Sequence, residues 1–233
     1  ALGPGKVLAG TVTTAIGRAG DGAIVLEKLR GVGVAMPGPG EHASLAPLCE
    51  TVVAAMDGAG LNARRFDRAD AMKWSKLLTN LIANATSAIL DLTPAAIFAH
   101  PGLYRLEREQ LLETLRVMDA RGIEVVDLPG TPVRLIARVV RRLPAALSRP
   151  LLGRAVGAGR GAKMPSFHID LRAGRGRSEV DFLNGAVVRA GREAAVPTPV
   201  NTLLTRTLLE LTRGETPLDT YRGRPDRLLA ELA

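Results

Sequence analysis

Lys73–Leu90, KWSKLLTNLIANATSAIL, is the stretch whose reading decides the fold. It contains neither Pro nor Gly, so the sequence predicts one unbroken helix, with Asp70 placed to cap it. Leu77, Leu78, Leu81, Ile82, Ala83, Ala85, Ala88 and Ile89 make that helix apolar over most of its circumference. Yet Lys76, Asn80 and Asn84 recur at a spacing of four, a single helical face, and Ser87 and Asp91 extend the line. Each Asn costs roughly 0.5 kcal/mol relative to Ala in a helix, so the stripe needs a reason. It allows two readings: the lining of a cleft, or a buried hydrogen-bond network between helices. In a cleft, partial burial would lower an ammonium's pKa and make the lysine a proton donor, and the amides could hold a small polar substrate.

Outward from this helix the chain changes character. Toward the N-terminus, residues 1–66 read as mixed α/β. KVLAGTVTTAI (6–16), GAIVLEKL (22–29) and VGVAM (32–36) are β-type runs parted by Gly-rich turns such as RAGDG and PGPG. A helix from about His42 to Met56 and a short strand within LNARRF (61–66) follow. Alone, these elements would leave a sheet with an unpaired edge and an uncovered face. Residues 67–233 read as helical. LYRLEREQLLETLRVMDARG places Leu111, Leu115 and Met118 on one face and ends at Gly122. PVRLIARVVRRLP is a helix closed by Pro144, and LLGRAVGAGRGAKMPSF a loop by its four glycines. SEVDFLNGAVVRAGREAAV opens on Ser178 as N-cap, with Asp181 three residues on, and TPVNTLLTRTLLELTRG runs from Pro199 to Gly214. The tail from Glu215 is expected to be partly ordered.

Composition narrows the function classes. With 233 residues, 46% of them hydrophobic, the chain can bury a sizeable core. One cysteine, Cys49, excludes an internal disulfide framework; its apolar helical neighbours make it a core thiol. No run of about 18 apolar residues is present, so no transmembrane helix is expected, and the cytoplasm is the default location. The net charge of +8 is concentrated between Arg134 and Arg177, which hold ten Arg and one Lys against the single acid Asp170. Such a run reads as solvated helix faces and loops, or as a surface that attracts anionic ligands or nucleic acid. Nucleic-acid binding is disfavoured, because Phe167 is the only aromatic nearby to stack on a base.

Motif searches exclude more than they find. A dinucleotide fingerprint needs G-x-G-x-x-G between a strand and a helix. Gly31 and Gly33 of GVGVAM have Met36 in third place and lead into PGPG; GAGRGA (157–162) follows no strand. His42, His100 and His168 are scattered and none has a second ligand at zinc spacing, so no metal site is expected. No Ser-His-acid set can be read. Glu179 and Asp181 fall in the first turn of a helix, where an acid is favourable in any case.

The combination is more specific than its parts. KWSKLLTNLIANATSAIL, followed by PSFHIDLRAGRGRSEVDFLNGAVV (165–188) and VPTPVNTLL (196–204), resembles the ketopantoate reductase (2-dehydropantoate 2-reductase) family over roughly residues 5–212. The shared pattern is a Lys with Asn four and eight residues on, a Pro-Ser turn, an Asp, a Gly-Arg, a Ser-Glu opening a helix that carries Asn-Gly, and a Pro-x-Pro-x-Asn helix start. The resemblance implies an α+β chain. Residues 1–66 would be the end of a Rossmann-like NADP-binding domain, lacking its glycine fingerprint, and residues 67–233 an all-α substrate-binding and dimerisation domain. It implies NADPH-dependent reduction of 2-dehydropantoate to pantoate, on the route to pantothenate and coenzyme A. Lys76 would be the general acid. Asn80 and Asn84 would hold the substrate's hydroxyl and carboxylate region, and Ser166 its carboxylate. Glu179 would contact the substrate hydroxyl or the nicotinamide ribose and tune Lys76. The partners implied are a small 2-keto acid and a second copy of the chain, with neither nucleic acid nor membrane. Two alternatives stay open: a paralogous reductase of another 2-keto acid, and an inactive helical dimerisation module.

Overall fold

A computed structural model describes residues 7–20, 22–36, 45–160 and 163–232. The expected PGPG turn, His42, Asp21 of the RAGDG turn and the end of the glycine-rich stretch at Gly161 lie outside them. The chain divides into two compact units: residues 1–77 with 123–135, and residues 78–122 with 136–233.

The first unit holds five strands and a helix: β1 (Ala9–Val12), β2 (Ala15–Ala19), β3 (Ala23–Lys28), β4 (Val32–Ala35), α1 (Ala46–Gly58) and β5 (Ala63–Phe66). Three strands form a sheet in the order β1-β4-β5. β1 runs antiparallel to β4, pairing Ala9 with Ala35, and β4 runs parallel to β5, pairing Val32 with Ala63. A parallel pair needs a crossover, and α1 supplies it. β2 and β3 form a separate antiparallel hairpin. The run 6–16 was expected as one strand and is two. Thr13 and Thr14 divert their N–H groups to the Gly31 carbonyl at 3.0 and 3.3 Å. The Thr14 hydroxyl accepts the Gly31 N–H at 2.9 Å, and the Thr13 hydroxyl donates toward the Pro129 carbonyl at 2.8 Å. These side chains take the place of ladder partners and end the strand.

The glycines that failed as a phosphate loop have another use. At Gly31, φ +142°, an added Cβ would lie 2.4 Å from the Asn62 carbonyl oxygen and 2.5 Å from Pro129 Cβ. At Gly33 it would meet Met72, Phe66 and Thr11 below 3.0 Å. Both positions serve close packing of β4 rather than the approach of a ligand. Cys49 is fully buried on α1, as expected, and burial pushes its thiol pKa up. Ile16, Ile24, Val25 and Leu26 of the hairpin are exposed.

α2 (Ala69–Leu81) begins in the first unit. Asp70 lies inside its first turn instead of before it, and its carboxylate accepts the Ala71 N–H at 2.7 Å. The second unit then contains α3 (Asn84–Leu90), α4 (Pro94–Ala99), α5 (Pro101–Ala120), most of α6 (Val133–Arg142), α7 (Ala145–Arg160), α8 (Ser166–Arg172), a 3₁₀ turn (Glu179–Phe182), α9 (Asn184–Glu193), α10 (Pro199–Arg213) and α11 (Pro225–Ala230). α5 is its axis: Leu103, Leu111, Leu115 and Met118 are buried along it. His100 caps it, Nδ1 accepting the Leu103 N–H at 3.2 Å, a role invisible as metal-ligand spacing.

Three sequence expectations are corrected here. Residues 151–160, expected as loop, are helical in α7. Their glycines cost about 1 kcal/mol each in a helix, but packing of α7 on α4 overrides that cost. The Ser178 helix is in fact a four-residue 3₁₀ turn, after which the α-helix restarts at Asn184. Asp181 closes no capping box; its carboxylate pairs with Arg189 at 2.8 Å. The third correction is the break in 73–90, which belongs to the candidate site.

The core of this unit carries an unusual set of polar groups. Glu107, Gln110, Glu113, Asn184 and Asn201 are all buried. Asn184 donates to Gln110 Oε1 at 3.1 Å and to Asn201 Oδ1 at 3.0 Å. Glu113 accepts the Val200 and Asn201 N–H groups at 2.8 and 2.9 Å and the Asn201 amide at 2.7 Å. A buried carboxylate thus satisfies the first N–H groups of α10, whose flanking Thr198 provides no side-chain cap. The Asn-Gly and Pro-x-Pro-x-Asn motifs are where these helices lock together.

Candidate active site

The predicted 18-residue helix is interrupted. α2 stops at Leu81, and Ala83 takes a left-handed conformation, φ 51° and ψ 18°. An alanine pays about 1–2 kcal/mol there, so something must hold it. The holder is Glu107 of α5. Its Oε2 accepts the Ala83 N–H at 2.7 Å, and its Oε1 accepts the Thr86 hydroxyl. Gln110 Nε2 steadies the same carboxylate at 2.7 Å and reaches the Leu81 carbonyl at 3.3 Å. Lys76 and Asn80 therefore share α2, one turn apart and both half-buried, while Asn84 is the first residue of a new helix.

The structure brings Asn84 and Ser166 together. Asn84 is only 4% exposed; its Oδ1 accepts the Phe167 N–H at 3.1 Å, and its Nδ2 lies 3.4 Å from Ser166 Oγ. Ser166 is exposed at the first position of α8. A hydroxyl and a primary amide side by side offer donors suited to a carboxylate. Glu179 is exposed at the start of its 3₁₀ turn, which Ser178 caps by accepting the Val180 N–H at 3.2 Å. Among the described residues Glu179 makes no hydrogen bond with Asn80, Asn84 or Ser166.

One cluster escaped the sequence reading. Asp91 follows α3 in a left-handed conformation, φ 54°. His168 Nε2 lies 2.6 Å from its Oδ1, and Arg172 and Arg222 reach its Oδ2 at 3.1 and 3.0 Å. The His168 hydrogen bond, then the Arg172 and Arg222 charges, hold this carboxyl below the usual range against the opposing effect of burial. A carboxyl depressed in the folded state contributes stability above its unfolded pKa and loses it as pH falls toward the folded value. The melting-temperature advantage of the wild type over Asp91→Asn should therefore shrink between about pH 5 and about pH 2. Thermal melts of the two proteins across that range check it.

Among the described residues no three His, Cys, Asp or Glu side chains are grouped to hold a metal ion, and no helix is long and apolar enough to cross a membrane. Gly31 and Gly33 are filled by their neighbours. Neither glycine leaves room for a phosphate against its backbone.

Comparison with known proteins bears on this arrangement. The family model "Ketopantoate reductase PanE/ApbA C terminal" matches residues 68–212. The 2-dehydropantoate 2-reductase of Pyrobaculum aerophilum is 28% identical over 177 residues, covering 76% of this chain and 53% of that protein. The chain thus spans about half the length of the curated relatives it matches. A PanE/ApbA family ketopantoate reductase from Ralstonia eutropha JMP134 superimposes with a TM-score of 0.68 at 23% identity, over 89% of this chain and 60% of that one. D-mandelate dehydrogenase, solved with NADH and anilino(oxo)acetate, does so with 0.67 at 19% identity, over 90% and 61%. At these identities the likeness is one of fold. With its family match running through α2, α8 and α10, the chain belongs to the ketopantoate reductase PanE/ApbA family.

Proposed function

We propose that the full gene product reduces 2-dehydropantoate to pantoate with NADPH, in the cytoplasm. The observation that carries this reading is the pairing of Asn84 with Ser166, in a chain of this family. A 2-keto acid needs an anchor for its carboxylate and a proton at its carbonyl oxygen. Ser166 holds the carboxylate, with Asn84 directing it, and Asn80 holds the hydroxyl region. Lys76 gives the proton to the oxygen. Glu179 contacts the substrate hydroxyl and tunes Lys76. The hydride is the cofactor's contribution. Residues 1–66 are then the end of the cofactor domain, and residues 67–233 the substrate-binding domain, through which two copies pair.

The test is oxidation of NADPH by the purified full gene product with 2-dehydropantoate, run beside NADH and a panel of other 2-keto acids. Turnover of 2-dehydropantoate with NADPH in preference to all of these supports the reading. Turnover of another keto acid alone replaces it with the paralogue; no turnover of any favours the inactive module. Residues 1–233 by themselves should show no NADPH binding at roughly micromolar concentration, because dinucleotide affinity comes mostly from a phosphate-cradling backbone. Calorimetric titration of the chain checks this, and saturable heat in that range would refute it.

A further inference from the structure

α8 has seven residues, too few to be stable alone. Two anchors on α3 hold it. At one end Asn84, the first residue of α3, accepts the Phe167 N–H. At the other, Asp91 just past Leu90 engages His168 and Arg172. Asp91 is itself fixed, since the Leu90 carbonyl accepts the Gly223 N–H at 2.8 Å and Arg222 grips the carboxylate. His168 and Arg172 are one turn apart and share a side of α8. Ser166 lies two residues before His168, about 200° round the helix, and is exposed, while Phe167 between them is buried at 1%.

We propose that Asp91 is a positioning residue: by clamping His168 and Arg172 it sets the rotation of α8, and with it the direction in which Ser166 meets the substrate carboxylate. The inference rests on the reading of Ser166 as that contact. Asn84 fixes where α8 begins but not how the helix is turned about its axis. With the clamp open, α8 can roll about the Phe167 side chain, and the Ser166 hydroxyl swings out of line.

The experiment has a structural and a kinetic arm. In the chain itself, Asp91→Asn should speed amide exchange of residues 169–173 roughly ten- to hundredfold, the loss of one charge-assisted hydrogen bond. The α5 amides should be unchanged. His168→Ala, which opens one side of the clamp, should act in the same direction. In the full gene product with 2-dehydropantoate, Asp91→Asn should raise KM about tenfold with kcat within about threefold. Added to Ser166→Ala it should raise KM no further, because its effect passes through that hydroxyl. If both variants leave α8 exchange unchanged, the clamp is overturned. The positioning role is overturned if Ser166→Ala raises KM and Asp91→Asn does not. If Ser166→Ala leaves KM unchanged, the substrate reading of Ser166 fails, and the link to function with it, while faster α8 exchange still shows the clamp. Equal acceleration in α5 and α8 would mean general destabilisation and would overturn the positioning role.

Discussion

In the full gene product acting as proposed, Lys76→Ala should cut kcat for 2-dehydropantoate by about 10²–10⁴-fold, the usual contribution of general acid catalysis, and change KM far less. The reason is differential binding. The ammonium meets a neutral carbonyl oxygen in the ground state and a developing alkoxide in the transition state, so most of its contribution appears only there. Asn84→Ala, by contrast, should act mainly on KM, because it removes an amide that directs Ser166 in both states alike. Circular dichroism and thermal melts must first show both variants folded. That control matters most for Asn84, which is buried and holds the start of α8. A folded Lys76→Ala protein with near-normal kcat across the pH range would remove Lys76 as the acid.

The largest expected effect on stability lies away from these residues, at Glu113. Glu113→Ala strands three donors in the core: the Val200 and Asn201 N–H groups and the Asn201 amide. Each buried unsatisfied group costs about 1–3 kcal/mol, so a loss of about 3–5 kcal/mol is expected, near the upper limit for single substitutions. Urea denaturation monitored by helical circular dichroism measures it. The pH dependence gives a second readout. Burial pushes the Glu113 carboxyl up despite its three donors. A carboxyl raised in the folded state binds more protons there than in the unfolded chain, so its contribution is greatest below the ordinary carboxylate pKa and declines as pH rises through the raised value. The stability of wild type relative to Glu113→Gln should accordingly fall as pH climbs from about 4 toward neutrality. A difference that grows over that range would show that the carboxylate is held ionised and that its donors outweigh its burial.

What the sequence made legible follows from the range of the interactions involved. α5, α6 and α10 are visible because their causes are local: apolar periodicity, Pro199 at the start of α10, and Gly122 and Gly214 just past the ends of α5 and α10, where φ is positive. The short strands are equally local. The break at Ala83 is not, because its cause is Glu107, 24 residues away on another helix. The division of β1 from β2 depends on Gly31 and Pro129, and the helicity of the glycine-rich α7 depends on α4. At the candidate site, residue spacing put Lys76, Asn80 and Asn84 on one helix, which holds for the first two only, and the family resemblance singled out Ser166, which the fold brings to Asn84. Asp91 was noticed only as the end of a stripe, and His168 was set aside. Their meaning is the contact between them, across 77 residues of chain, and no local pattern encodes it.

Cys49 offers a practical consequence. It is the sole thiol in the chain and is fully buried on α1 in the sheet-bearing unit. A thiol-specific reagent therefore has one target, shielded in the folded chain both by burial and by its raised pKa. The pace of its modification becomes a clock for openings of that unit alone, blind to fluctuations confined to the helices of the other. Timed labelling read by intact mass, beside a helical signal on the same sample, would tell whether the two halves of the chain unfold as one or in turn.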